Sequence, residues 1–223
     1  MIYLLTPTGN RYKAMRLLTG YMQAQTYSGD VTWIIVDDCD PPTPKPDSKY
    51  SVEMIRPAWR WSGASTQAKS ILAGLDRIPS DSVVLMIEDD DCYLPTYIET
   101  MVKALESADL VGEAGSYYYN VRTGRYRAMK STNHSSLAST AIRGTEALRA
   151  ICEGHNRMID VELWRTFTGK KALIDEHNVI GIKGLPGRSG IGVGHRQHFG
   201  AQDDGTVLKQ WLGDYADNYR ADA

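Results

Sequence analysis

The sequence predicts an α/β fold: a mixed, mainly parallel sheet flanked by helices. Two observations carry this expectation. Short apolar runs of the kind buried in parallel sheets alternate with amphipathic segments through the first half of the chain. Two of those runs end in carboxylates, one at Asp37-Asp38 and one at Glu88-Asp89-Asp90-Asp91. In an open α/β sheet the carboxyl ends of the strands face the ligand crevice. Strands alternating with helices also imply right-handed crossovers.

The elements follow in order. Residues 2–6 read as a strand and 12–25 as a helix. Residues 31–36 form a second buried strand, and the prolines from Pro41 to Pro46 impose a loop after it. Residues 52–56 read as a third strand. Ala68, Ile71, Leu72, Leu75 and Ile78 recur at helical spacing and predict a helix over 64–77. The apolar run 83–87 is the strand that carries the four acids. Pro95 suits the first position of a helix whose Ile98, Met101, Val102 and Leu105 share one face.

The second half is less regular. Tyrosine-rich 117–121 and 126–129 flank Arg122-Thr123-Gly124-Arg125, which predicts a hairpin. Residues 145–153 and 160–168 read as helices. Residues 181–200 contain Gly184, Gly187, Gly190, Gly192 and Gly194 and predict a mobile loop. Residues 207–219 read as a terminal helix. The whole is expected to be one domain with two halves, 1–110 and 111–223.

Composition narrows the function. A chain of 223 residues with 42% hydrophobic and 23% charged residues is sized for one soluble domain. A net charge of −2 excludes a global basic field of the kind that binds nucleic acid. Cys39, Cys92 and Cys152 have neither metal-ligand spacing nor a disulfide framework. No apolar stretch approaches the roughly 20 residues of a membrane span. The expectation is a cytoplasmic protein with no membrane segment.

Four adjacent carboxylates repel one another, and a hard divalent cation with oxygen ligands offsets that repulsion. The cluster therefore points to a metal holding an anion, most simply a diphosphate. The calcium-loop pattern is absent, because the glycine at its sixth position and the closing glutamate are missing. The plainer alternative is a solvated strand end, with Asp91 capping the following helix. Asp37-Asp38 alone suits turn formation as well as binding. If both acidic ends face one crevice, one can read a base or ribose while the other holds the metal. The turn Thr6-Pro7-Thr8-Gly9-Asn10-Arg11 offers backbone donors without the spacing of a dinucleotide fingerprint or a phosphate loop. Arg188 and Arg196 carry guanidinium groups suited to a diphosphate, with solvated loop arginines as the alternative.

Taken in order, Thr6-Pro7-Thr8-Gly9-Asn10-Arg11, Gln25-Thr26-Tyr27, Ile35-Val36-Asp37-Asp38 and Glu88-Asp89-Asp90-Asp91 with Pro95 resemble a known family. They resemble the N-terminal half of family-two-like glycosyltransferases, which are nucleotide-diphospho-sugar transferases of the GT-A fold. The resemblance spans residues 2–105. It implies that 1–110 is the nucleotide-sugar-binding half, with Thr6, Pro7, Thr8 and Arg11 around the nucleotide. Asp37 or Asp38 would bond the uracil. Lys69 stands where the family often has an arginine near the base and diphosphate. Glu88-x-Asp90 stands in the place of the DxD motif. Asp90 would be the main ligand for Mn²⁺ or Mg²⁺, with Glu88 and Asp91 beside it and Asp89 on the ribose.

The resemblance further implies that 111–223 binds the acceptor. Met158-Ile159-Asp160-Val161-Glu162 resembles the segment that carries the base, although Ile159 stands where an acid is common. Asp160 is the expected base and Glu162 its fallback, and His195 is a candidate to reach the metal. The implied function is metal-dependent, inverting sugar transfer from a nucleotide-diphosphate sugar, most simply a UDP-sugar, to an acceptor hydroxyl. The acceptor is open: a glycan, a protein or a modified nucleic-acid base, as in phage DNA glycosylation. Two alternatives stand beside this reading, a nucleotidyltransferase and a non-catalytic nucleotide-sugar-binding protein. The first would need a triphosphate-gripping loop, toward which residues 6–11 supply only Gly9 and Arg11.

Overall fold

The computed structural model describes residues 1–59, 65–154, 158–188 and 193–219. In chain order the elements are β1 (Ile2–Thr8), α1 (Tyr12–Gln23), β2 (Val31–Asp37), β3 (Ser51–Ile55), α2 (Gln67–Leu75), β4 (Val83–Met86), β5 (Cys92–Tyr93) and α3 (Tyr97–Ala104). The second half adds β6 (Leu110–Glu113), β7 (Gly115–Asn120), β8 (Arg125–Lys130), β9 (Thr140–Arg143), α4 (Glu146–Glu153), α5 (Ile159–Thr166), β10 (Lys171–Ile174), β11 (Val179–Lys183), β12 (Ala201–Gln202) and α6 (Thr206–Leu212).

Seven strands form the main sheet in the order β10-β6-β9-β4-β1-β2-β3. β9 runs antiparallel to both neighbours, and the other pairs are parallel. A second sheet has the order β12-β8-β7-β11-β5.

Side-chain alternation along the central strands builds a core on each face of the main sheet. Leu4 and Trp33 pack with Leu18, Tyr21, Met22, Ile98 and Met101 of α1 and α3. Their neighbours Leu5 and Ile34 pack on the other face with Ile71 and Leu75 of α2 and Leu148 of α4. Each fully buried leucine or isoleucine contributes about 1.5–3 kcal/mol. Helix α2 rides close to the sheet because residue 74 is glycine, and a Cβ there would overlap Leu5.

Several boundaries differ from the sequence reading, each for a physical reason. β1 runs on to Thr8, so Thr6 and Thr8 are ladder residues. β4 ends at Met86, and the Ile87 amide extends the ladder by bonding the Leu5 carbonyl at 3.0 Å. The four acids therefore sit on the turn beyond the strand. The segment 181–200 is not one loop. Gly181 to Lys183 complete the buried strand β11, where Gly181 makes room for the Tyr118 ring. Gly190 and Gly192 lie outside the described residues. The terminal helix is short, because Gly213 takes a φ of 55° and the chain continues as 3₁₀ to Tyr219. That tail docks on α1 through the Tyr21 and Tyr219 hydroxyls, 2.5 Å apart. Among the described residues, no helix is long and apolar enough to cross a membrane.

Candidate functional site

The acids after β4 lie beside the end of β1. Thr8 Oγ1 donates to Asp89 Oδ2 at 2.6 Å, and Arg11 Nη1 lies 2.6 Å from Asp89 Oδ1 and 3.3 Å from Asp90 Oδ2. The turn is supported from beneath. The Glu88 amide donates to the Tyr93 hydroxyl at 2.7 Å, and that hydroxyl donates to the Ala138 carbonyl at 3.2 Å. On the far side, Asp91 Oδ1 accepts from the Ile182 amide at 3.1 Å and from Lys183 Nζ at 2.8 Å. Lys183 also lies 3.7 Å from Asp90 Oδ2. Glu88 is half-buried and accepts from Gln67 Nε2 at 3.1 Å. Glu88, Asp90 and Asp91 each offer an oxygen, and these oxygens lie within 4.8 Å of one another.

Burial and mutual repulsion shape the charges here. Burial pushes the Glu88 carboxyl up to about 8, with Asp91 adding to the effect. Burial raises Asp91 to about 6 against the pull of Lys183. It raises Asp89 as well, against Arg11. Asp90 differs: burial opposes ionisation, but Lys183 and Arg11 outweigh it and hold the carboxyl below its ordinary value. Burial, with the Lys183 charge, pushes the His195 imidazole down to about 4, so it is neutral at pH 7.

When ionised, four carboxylates face the two cations Arg11 and Lys183. The acids outnumber those two cations, and hard oxygen donors converging in that excess of negative charge fit Mn²⁺ or Mg²⁺. His195 stands outside the converging set of three, although its imidazole feels the Asp90 charge.

The second acidic end is built differently. Asp37 is fully buried and accepts from the Cys39 amide at 2.9 Å, the Thr43 amide at 2.7 Å and the Arg56 guanidinium. Asp38 accepts from Thr66 Oγ1 at 2.5 Å and pairs with the Arg188 guanidinium. Arg188 is tied to the 9–11 turn as well: its amide donates to the Asn10 carbonyl at 3.2 Å, and its carbonyl accepts from Arg11 Nε at 2.6 Å. Gly9 permits this closeness, since a Cβ there would overlap Asp38 and Arg188. Thr8, Arg11, Asp38, Asp89, Asp90 and Arg188 are thus joined in one network. Thr6 turns inward and accepts from Trp33 Nε1 at 2.9 Å, and Pro7 is half-buried beside it. Lys69 and Arg196 are exposed, and among the described residues no ion pair joins either to the acids.

With this geometry in view, residues 3–167 match the model of glycosyl transferase family 2. The chain belongs to that family.

Solved structures of similar shape share the fold at low identity. S. aureus TarS superposes with a TM-score of 0.56 at 13% identity, covering 81% of this chain and 36% of TarS. Its 1–349 fragment gives 0.58 at 12%, covering 81% and 60%. The mannosyltransferase PcManGT from Pyrobaculum calidifontis, in complex with GDP-Man and Mn²⁺, gives 0.54 at 11%, covering 83% and 57%. This family 2 chain therefore spans 36–60% of the length of these structures, and its fold is GT-A. Comparison with curated protein sequences gives no significant match.

The family 2 chain carries its candidate base on α5. Asp160 and Glu162 lie in the first turn of that helix. Glu162 pairs with Arg165 on the surface, while Asp160 is half-buried. Trp164 anchors α5, donating from Nε1 to Thr140 Oγ1 at 3.2 Å, and Lys171 Nζ donates to the Trp164 carbonyl at 2.9 Å. Asp160 acts electrostatically on Tyr118, as do Asp91 and Glu88.

Lys183 and Thr66 were not singled out by sequence reasoning. The signal for Lys183 was present: it ends the apolar run Val179-Ile180-Gly181-Ile182, where a charged residue at a strand terminus reads as a site residue. The glycines that follow concealed the strand.

Proposed function

We propose that this family 2 chain is a metal-dependent, inverting glycosyltransferase that uses a nucleotide-diphosphate sugar, most simply a UDP-sugar. The observation that carries the reading is the convergence of Glu88, Asp90 and Asp91 at the carboxyl end of the parallel strands, beside Thr8 and Arg11. The complex of PcManGT with GDP-Man and Mn²⁺ supports it by fold likeness.

Asp90 would be the main metal ligand, with Glu88 and Asp91 completing the oxygen set. A bound Mn²⁺ or Mg²⁺ would supply Lewis-acid stabilisation of the departing diphosphate. Arg11 adds fixed positive charge on the same side. Arg188 would leave Asp38 for the diphosphate, freeing Asp38 to accept from the base or ribose. Asp160 takes the proton from the acceptor hydroxyl as its oxygen attacks the anomeric carbon. The bond from that carbon to the diphosphate oxygen breaks with its electron pair, and in-line displacement inverts the centre. In this reading acceptor and sugar would meet between the Asp160 turn and the cluster. The acceptor is a glycan, a protein or a modified nucleic-acid base. The free, buried cysteines Cys39, Cys92 and Cys152 suit a reducing cytoplasm.

Incubation with a panel of UDP- and GDP-sugars and Mn²⁺ tests the reading. Release of nucleoside diphosphate is expected. Release of pyrophosphate from a nucleoside triphosphate plus a sugar phosphate would assign a nucleotidyltransferase instead. Binding without either product would assign a non-catalytic binder.

A further inference from the structure

Lys183 ends β11 with its side chain only 9% exposed. Its ammonium lies 2.8 Å from Asp91 Oδ1 and 3.7 Å from Asp90 Oδ2, two of the three carboxylates that converge. The stem is confined. Gly194 passes so close that a Cβ there would stand 2.9 Å from Lys183 Cγ, and its carbonyl is held by Asn120 Nδ2 at 3.0 Å. The Tyr118 ring lies 5.8 Å from the ammonium on another side. A metal bound through those same oxygens of Asp90 and Asp91 would sit against the charge of the ammonium.

We propose that Lys183 is the resident counter-cation of the carboxylate cluster, and that a divalent ion binds by displacing it from Asp90 and Asp91. This deepens the proposed function and rests on its metal assignment. Without a donor the ammonium competes with the metal, so the metal binds weakly. A diphosphate offers the displaced ammonium new oxygen partners. Metal and diphosphate then raise each other's affinity by the same factor, because binding linkage is reciprocal. Lys183 is in this sense a positioning residue that couples the two ligands.

The test compares wild type, Lys183→Met and Lys183→Arg by Mn²⁺ titration calorimetry without nucleotide, and by thermal melting in EDTA and in Mn²⁺. Lys183→Met is expected to bind Mn²⁺ more tightly than wild type, by on the order of tenfold or more, since a like charge within about 4 Å is removed from a partly buried site. In EDTA it melts below wild type, and Mn²⁺ closes the gap. Lys183→Arg keeps the charge and follows wild type. UDP tightens Mn²⁺ binding to wild type by a larger factor than to Lys183→Met. Equal or weaker Mn²⁺ binding by Lys183→Met overturns the proposal, as does a melting deficit that Mn²⁺ leaves unchanged. If Lys183→Met does not fold in EDTA, recovery from urea only with Mn²⁺ supports it, and failure in both buffers overturns it. Absence of Mn²⁺ binding by wild type and variants alike overturns the metal assignment itself, and this inference with it.

Discussion

Replacing Arg11 by Met removes the cation that faces Asp89 and Asp90. The guanidinium lies 2.6 Å from one carboxylate and 3.3 Å from the other, with side-chain exposures of 15%, 3% and 7% for Arg11, Asp89 and Asp90. Breaking such a buried pair from one side strands a charge and costs about 3–5 kcal/mol. For a domain of this size that corresponds to a fall in Tm of roughly 6–20 °C. The companion variant Asp89→Asn removes the stranded charge while keeping an oxygen for the Thr8 hydroxyl. In the double variant most of the loss should therefore return, leaving a coupling of about 2 kcal/mol or more. Urea denaturation of wild type, both single variants and the double variant measures this. Additive losses, or a cost below about 1 kcal/mol for Arg11→Met, would refute the charge balance on which the site is built.

Three further outcomes are expected. Glu113 is buried at the end of β6 and accepts from the Asn178 and Val179 amides at 2.7 and 3.1 Å, and burial pushes its carboxyl from 4.5 up to about 7. The folded state thus holds this proton more tightly than the unfolded chain. The stabilisation it brings is full below pH 4.5 and lost as pH rises toward 7, roughly 3 kcal/mol in all. The stability of wild type relative to Glu113→Gln should fall across that window, and a flat difference in chemical denaturation would contradict it. Asp160→Asn should retain donor affinity in calorimetry and lose about 10²–10⁴ in turnover, the usual worth of a positioned base; transfer at the parental rate would remove Asp160 from that role. Gly9→Ala forces a methyl group into the Asp38–Arg188 pair. It should weaken nucleotide binding severalfold in fluorescence titration while the fold, followed by circular dichroism, persists; unchanged affinity would show that the pair stands apart from the nucleotide.

The first half of the chain was legible because local signals agree there. Near-continuous apolar runs marked β1, β2 and β4, helical spacing marked α2 and α3, and the acids marked the strand ends. The tyrosine-rich pair around Arg122-Thr123-Gly124-Arg125 became the β7–β8 hairpin as expected, with Gly124 at a φ of 60°. What the sequence concealed was long-range pairing. Nothing local to Asp91 shows that Lys183, far along the chain, will reach it, and nothing local to Asp38 shows that Arg188 will. Gly181 illustrates the difficulty: its composition reads as flexibility, yet the residue is glycine because the Tyr118 ring occupies the space of a side chain. Asp37 and Asp38 look alike in sequence, and only the fold separates them. Asp37 is enclosed by two amides and Arg56, whereas Asp38 is held by Thr66 and by an arginine on a separate segment.

Nucleotide-sugar binding measured by calorimetry, with Mn²⁺ and then with EDTA, in wild type and in Asp90→Asn, tests the central claim most directly. Affinity that requires Mn²⁺ in wild type and disappears in a folded Asp90→Asn protein is the predicted result. Donor binding of equal strength without metal, and in Asp90→Asn, would contradict it.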